Sequence, residues 1–183
     1  MDVAPDPVDP EVIVITGAMA AGKSTVAAAL ARRFTRSVHV RGDLFRRMVV
    51  GGREDATPGA GPESERQLDL RYQLGTACTD AYAAAGFTVV YQDIILGEHL
   101  LRVIQSIVHR PLSVVVLCPS SSVLARREEG RSKVGYGEWT PHDLDRVMRA
   151  ETPPIGLWLD SGPLTITETV DAILGDETRL ITP

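Results

Sequence analysis

The stretch that decides the fold is Val12-Ile-Val-Ile-Thr-Gly17-Ala-Met-Ala-Ala-Gly22-Lys23-Ser24. It opens with a β-branched apolar run typical of a buried strand, and the residues from Gly17 to Ser24 fit the pattern Gly-x-x-x-x-Gly-Lys-Ser. Glycines let a backbone wrap closely around an anion, so that N–H groups point inward and the following helix adds positive potential. We therefore predict a strand, a phosphate-binding loop and a helix in succession.

This loop predicts binding of a nucleoside triphosphate, with ATP and Mg²⁺ as the expected cofactors. Lys23 reaches the β- and γ-phosphates in such loops, and the hydroxyl of Ser24 is a ligand of Mg²⁺. The predicted nucleotide-binding residues of the loop are Gly17, Ala18, Ala20, Ala21, Gly22, Lys23, Ser24 and Thr25.

Composition limits the other possibilities. The chain has 183 residues, of which 44% are hydrophobic and 23% charged, with a net charge of −5. The length and composition predict a single domain over 1–183, and the net charge argues against a partner held through nucleic-acid phosphates. The acidic, proline-rich residues 1–10 are predicted to form a flexible tail. There is no apolar run long enough for a membrane span, and the N-terminus does not have the pattern of a signal peptide. Cys78 and Cys118 show no metal-site spacing, so we expect buried, reduced thiols and a cytoplasmic protein that binds no membrane.

Short apolar runs alternate with helical periods, which predicts an α/β fold with a parallel sheet covered by helices on both faces. The predicted strands are 12–16, 38–41, 88–92, 113–117 and 156–160. The predicted helices are 22–34, 43–50, 62–85, 98–108, 121–131, 141–151 and 167–174. For the third helix, an apolar face on the sheet is predicted from the spacing of Leu70, Leu74, Ala77, Cys78, Ala81 and Ala85.

Two sequence motifs that are absent favour a kinase over other classes of protein with this phosphate-binding loop. No Asn-Lys-x-Asp tetrad is present, which disfavours a GTPase switch. The third strand ends in Gln92-Asp93-Ile94, whereas many motor and AAA-type ATPases have an Asp-Glu pair whose glutamate polarises water. These absences favour a phosphoryl acceptor other than water.

Asp43 is the predicted catalytic base. It follows the second strand, at the edge of the sheet where the phosphate loop opens, and a carboxylate there can accept the proton of an attacking hydroxyl. The alternative is that Asp43 only caps the next helix.

Two further features suggest phosphate and metal contacts. Arg127 and Arg131 are four residues apart, so they share a helix face that can close over a triphosphate as a lid spanning 121–140. The alternative for this segment is a solvated helix with Glu/Arg pairs. Asp93 ends the strand expected beside the loop strand, where it can serve Mg²⁺ through water or bind the acceptor.

These motifs together resemble the P-loop small-molecule kinases of the chloramphenicol phosphotransferase-like family. The resemblance rests on the loop, on Gly42-Asp43, on the stretch Gly86 to Gly97 and on the Arg127…Arg131 pair. It implies a P-loop NTPase fold with strand order 2-3-1-4-5, Asp43 as base, and lid arginines on the phosphates. The catalytic set is then Asp43, Lys23, Arg127 and Arg131, and the candidate substrate residues are Asp43, Arg46, Arg47, Tyr72 and Asp93.

The expected activity is ATP-dependent transfer of a phosphoryl group to a hydroxyl of a small molecule. The residues leave open whether this acceptor is an antibiotic, a nucleoside-type metabolite or a sugar-type metabolite. A nucleotide salvage kinase and a nucleotide-binding regulatory protein remain the alternatives, because a fold does not fix a substrate.

Overall fold

The computed structural model describes residues 10–57, 59–129 and 139–181. Its strands are β1 (Val12–Gly17), β2 (Ser37–Arg41), β3 (Thr88–Gln92), β4 (Leu112–Leu117) and β5 (Leu157–Leu159). Within the described residues these strands form one five-stranded sheet, in which every pair is parallel and the order is β2-β3-β1-β4-β5. The predicted fold class and strand order are confirmed.

Helices connect the strands as the sequence pattern predicts. They are α1 (Lys23–Ala31), α2 (Gly42–Met48), α3 (Pro62–Ala84), α4 (Glu98–Ser106), α5 (Ser121–Glu129), α6 (Pro141–Glu151) and α7 (Ile166–Gly175), followed by a 3-10 turn at Glu177–Arg179. Reciprocal capping boxes begin α6, through Thr140 and Asp143, and α7, through Thr165 and Glu168. No helix in the described ranges combines the length and apolarity needed to cross a bilayer.

Helices α1 and α3 lie on opposite faces of the sheet. Gln92 of β3 contacts Ser24 of α1, whereas the preceding residue, Tyr91, meets Gly75 of α3. Successive side chains of a strand point to opposite faces, so these two contacts place the two helices on either side. Strands β1, β3 and β4 are fully buried, and α7 packs beside α1.

The apolar face predicted for α3 is wrong. Leu70 and Leu74 are 47% and 43% exposed. The side of the helix that faces the protein carries instead the buried residues Ser64, Arg71, Tyr72, Gly75, Thr76, Thr79 and Ala83. Close approach to the sheet explains the difference, because a Cβ at Gly75 would lie 2.4 Å from the Tyr91 hydroxyl. Small and polar residues therefore fill this contact.

The cysteines are free but only half-buried, so the expected full burial is not observed. Cys78 lies on α3 and Cys118 follows β4. Partial burial raises the pKa of both thiols above the ordinary value, which keeps them protonated at neutral pH.

Candidate active site

The phosphate loop joins β1 to α1 through backbone conformations that favour glycine. Gly17 has φ +143°, and a Cβ there would lie 2.4 Å from the carbonyl oxygen of Leu117 in β4. Gly22, the N-cap of α1, has φ +96°. Ala20 also has a positive φ, +63°, which costs energy for a residue with a Cβ. The loop is thus held in a curved, strained shape.

Lys23 lies along this loop. Its Nζ donates hydrogen bonds to the carbonyl oxygens of Gly17, at 2.9 Å, and of Ala18, at 2.8 Å. Only 9% of the residue is exposed. The ammonium charge is therefore already at the loop, where the sequence predicts contact with phosphates.

Ser24 contacts Gln92, a residue that the sequence analysis did not assign to the site. The Ser24 Oγ donates to the Gln92 Oε1 at 3.2 Å, and Gln92 is aligned with Ile15 of the loop strand. Strand alternation could have identified it, because the residue that shares a face with α1 at the end of β3 is Gln92, while Asp93 follows the strand.

Asp93 is engaged in a buried ion pair with Arg71 of α3. The Arg71 Nε donates to Asp93 Oδ2 at 2.7 Å, a second guanidinium nitrogen donates to Oδ1, and the Ile94 N–H donates to Oδ1 at 2.8 Å. The side chains of Arg71 and Asp93 are 7% and 1% exposed. Gly42 packs on the same carboxylate, since a Cβ there would lie 1.9 Å from Oδ2. Asp93 thereby fixes the starts of α2 and of the segment after β3, and its roles toward Mg²⁺ and substrate stay predictions.

Asp43 does not cap α2. The helix begins at Gly42, and its N-cap, Arg41, makes no side-chain cap bond. Instead the Arg47 Nη2 lies 2.8 Å from Asp43 Oδ2, and the Arg41 Nε lies 3.5 Å from Oδ1. Among the described residues, the buried Oδ1 has no hydrogen-bond partner. The carboxylate is thus held between two guanidinium groups, and its Oδ1 faces the Arg41 Nε without forming a hydrogen bond.

His39 contributes no positive charge here. Burial, together with the guanidinium of Arg41, lowers the pKa of His39 from 6.5 to about 4. Its imidazole is therefore neutral at physiological pH, and the cations beside Asp43 are the two arginines.

Arg127 connects the loop to the segment after β5. Its Nη1 donates to the Ala21 carbonyl and its Nη2 donates to the Ser161 carbonyl, both at 3.2 Å. A solvated helix with internal Glu/Arg pairs, the alternative considered above, would not make these contacts with distant residues. Arg131 and much of the predicted lid, residues 130–138, lie outside the described residues, as do residues 1–9 of the predicted tail.

A cleft of about 340 Å³ opens beside the loop. Its walls include Gly22, Thr25, Arg127, Ser161 and Ile166. Helices α5 and α6, which flank residues 130–138, are joined by a hydrogen bond. The Ser121 Oγ of α5 donates to the Asp145 Oδ2 of α6 at 2.7 Å. This bond helps to fix the helix that carries Arg127.

The other candidate substrate residues lie apart from one another. Arg46 donates to Asp55 at 2.5 Å, which ties α2 to the following loop. Arg47 is on Asp43, as described above. Tyr72 lies in a separate apolar pocket and donates to the Ile94 carbonyl at 2.7 Å. The structure therefore brings Asp43 and Arg47 together but places Arg46 and Tyr72 elsewhere.

The donor set at Ser24 fits a magnesium ion held largely by nucleotide phosphates. Ser24 and Gln92 supply two neutral oxygens, which suit a hard cation. In the parts of the chain that the structure describes, no cluster of three or more histidine, cysteine or acidic side chains forms a ready-made metal site.

Comparison with known proteins places the chain in a family. A sequence profile described as "AAA domain" matches residues 12–154. The chain belongs to the AAA domain family. In this AAA domain β3 ends at Gln92, and the next residue, Asp93, is paired with Arg71 and followed by Ile94, so the Asp-Glu pair of a water-activating ATPase is absent at this position. No curated protein matches the sequence.

Solved structures extend the comparison for this AAA domain. A gluconokinase from Sinorhizobium meliloti 1021 is 22% identical, with a TM-score of 0.59 over 91% of this chain and 90% of its own. The tunicamycin resistance protein of Deinococcus radiodurans is 21% identical, with a TM-score of 0.61 over 96% and 99%. The APS kinase of Mycobacterium tuberculosis, in complex with AMPPNP and APS, is 17% identical, with a TM-score of 0.67 over 92% and 98%. The chain has the fold of P-loop kinases.

Proposed function

We propose that the protein transfers the γ-phosphoryl group of ATP to a hydroxyl group of a small molecule. The observation that carries the proposal is the buried Oδ1 of Asp43, which lacks a hydrogen-bond partner among the described residues. Because this oxygen is buried, an acceptor hydroxyl can donate to it only after the Asp43 side chain or a neighbouring arginine side chain moves. Asp43 lies next to Gly42, which packs on Asp93 at the edge of the sheet where β1 enters the phosphate loop.

On the donor side, the chain supplies positive charge and oriented N–H groups. Lys23 moves from the carbonyls of Gly17 and Ala18 to the phosphate oxygens, and the N-terminus of α1 faces the same anion. Arg127 neutralises charge that develops during transfer, from a position already fixed on the loop. Mg²⁺, when bound at Ser24, supplies further charge neutralisation between phosphate oxygens.

On the acceptor side, Asp43 orients the hydroxyl and accepts its proton. The hydroxyl oxygen then forms a bond to the γ-phosphorus as the bond to the ADP oxygen breaks, and the proton remains on Asp43 until it is released to solvent. Arg41 and Arg47 hold the carboxylate in one orientation throughout. Arg47 is therefore a positioning residue in this scheme.

The resemblance to chloramphenicol phosphotransferase-like kinases and the shared fold with a gluconokinase and a tunicamycin resistance protein support a small-molecule acceptor. They leave its identity open, because one fold carries many substrates.

The direct test is a mass-spectrometric screen for an added phosphoryl group. The full chain, ATP and Mg²⁺ are incubated with hydroxylated antibiotics, nucleosides and sugar alcohols. We expect Asp43→Asn to slow transfer by about 10²–10⁴-fold with ATP affinity retained, and Lys23→Ala to remove transfer almost completely. Arg53→Gln, a change of an exposed arginine, is the control and should behave as the parent.

Two results would contradict the proposal. Parent-level turnover by the Asp43→Asn variant removes Asp43 as the base. No product across the panel, despite tight ATP binding, favours a nucleotide-dependent regulatory protein instead.

A further inference from the structure

A second cavity, of about 190 Å³, shares no lining residue with the cleft beside the phosphate loop. Its walls come from α3, α4, α6, the loop after α2, the segment after β3 and the segment before α6. They include Leu68, Tyr72, Leu96, His99, Trp139 and Val147. These side chains are apolar or aromatic, apart from the imidazole.

The hydroxyl, indole and guanidinium groups in these walls already have protein partners. The Tyr72 hydroxyl donates to the Ile94 carbonyl at 2.7 Å, and the Trp139 Nε1 donates to the Ala56 carbonyl at 2.7 Å. Arg71, at the floor, binds Asp93. A guest in the cavity would therefore meet mainly carbon surface.

His99 does not add a charge to this surface. Its ring lies against Tyr72, with centroids 5.4 Å apart and planes inclined by 51°. Burial, and next the nearby Arg102, lowers the pKa of His99, so the imidazole is neutral at pH 7.

The volume sets the size of the guest. A dry protein cavity of about 150 Å³ lined by apolar side chains binds benzene. At about 190 Å³, this pocket has room for one six-membered ring and a short substituent. A sugar alcohol of similar size would lose water from several hydroxyls and find few free partners, so its binding would be weak.

The pocket is connected to the proposed base through intermediate residues. Arg71 lines the pocket and holds Asp93, and Gly42 packs on the Asp93 carboxylate immediately before Asp43. One ion pair thus supports both the floor of the pocket and the start of the helix that carries Asp43.

We propose that this pocket binds an apolar ring of the acceptor, and that the substrate class is a ring-bearing alcohol and not a polyol. This inference rests on the proposed function. Trp139 acts as a specificity-determining residue, because its ring forms a wall and its N–H fastens the loop at Ala56 over the pocket.

The first experiment measures binding alone. Ligand-observed saturation-transfer NMR on the full chain compares 2-phenylethanol and cyclohexylmethanol with sorbitol. We expect the two ring alcohols to bind and sorbitol not to bind. Val147→Phe fills the pocket and should weaken ring binding at least tenfold, whereas Val108→Phe, the same change at an 81% exposed position, should leave it unchanged. Ring binding unchanged by Val147→Phe would overturn the proposal.

The second experiment measures turnover with ring alcohols and polyols, using Trp139→Phe in case Val147→Phe unfolds. This variant keeps an aromatic wall and loses the bond to Ala56, so we expect the KM of the ring alcohol to rise several-fold while the KM of ATP does not change. Phosphorylation of sorbitol in preference to ring alcohols would overturn the pocket assignment and leave the proposed function intact. Ring binding with no phosphorylation of any alcohol would support the pocket and overturn the proposed function.

Discussion

Replacing Arg71 by methionine tests the buried ion pair on which the site is built. The change keeps much of the side-chain volume but removes both guanidinium bonds to Asp93. The carboxylate, with a side chain 1% exposed, would keep only the Ile94 N–H as a partner among the residues that the structure describes. An uncompensated buried charge of this kind costs about 3–5 kcal/mol in the free energy of unfolding.

Urea unfolding followed by circular dichroism measures this cost. With a slope of about 2 kcal/mol per molar urea, the midpoint should fall by roughly 1.5–2.5 M. Arg102→Met is the matched control, because Arg102 is 48% exposed and pairs on the surface with Glu98, so its loss should cost less than about 1 kcal/mol.

A double variant separates the ion pair from simple loss of packing. Adding Asp93→Asn to Arg71→Met removes the stranded charge, so the double variant should be more stable than the sum of the two single changes predicts, by about 2 kcal/mol or more. A cost below about 1 kcal/mol for Arg71→Met, or strict additivity in the double variant, would refute the reasoning.

Three further predictions concern the loop, its arginine and the neighbouring histidine. Gly17→Ala places a Cβ 2.4 Å from a β4 carbonyl oxygen, at a φ of +143°. We therefore expect thermal shift assays to show a lower melting temperature and a loss of ATP binding. The control Gly61→Ala, where a Cβ meets nothing within 4 Å, should behave like the parent. Arg127→Lys cannot span both carbonyls that the guanidinium bonds, so the ATP dissociation constant should rise about tenfold, measured by calorimetry, with exposed Arg126→Lys unchanged. His39 has a pKa of about 4 in the folded chain against 6.5 ordinarily, so the unfolded state takes up a proton first as pH falls. Between pH 6.5 and 4, the free energy of unfolding should therefore fall more in the parent than in His39→Gln. The extra fall should be at most about 1–2 kcal/mol, because the ring is partly exposed. Equal urea midpoints for the two proteins across this pH range would contradict this prediction.

Local sequence determined the phosphate loop and the layout of the fold. The run from Val12 to Ser24 encodes a strand, a loop and the start of a helix within one short segment. The apolar run indicates the strand, and the spacing of the glycines and the lysine indicates the loop, so no distant residue is needed to predict them. The remaining strands followed from apolar runs, because both faces of a parallel sheet are buried. Asp43 could be singled out because it lies two residues after the end of β2.

Contacts between distant residues were decided only by the tertiary structure. Nothing near Asp93 in the sequence indicates its ion pair with Arg71, which lies on α3. Alternation along β3 places Gln92 on the α1 face, but its hydrogen bond with Ser24 was decided by how α1 packs on the sheet. Leu70 and Leu74 give α3 an apolar pattern, yet they face outward because Gly75 brings the other side of the helix close to Tyr91. The spacing of apolar residues predicts which face of a helix is apolar. Which face is buried depends instead on how closely the helix can approach the sheet, and the packing of the layers determines this distance.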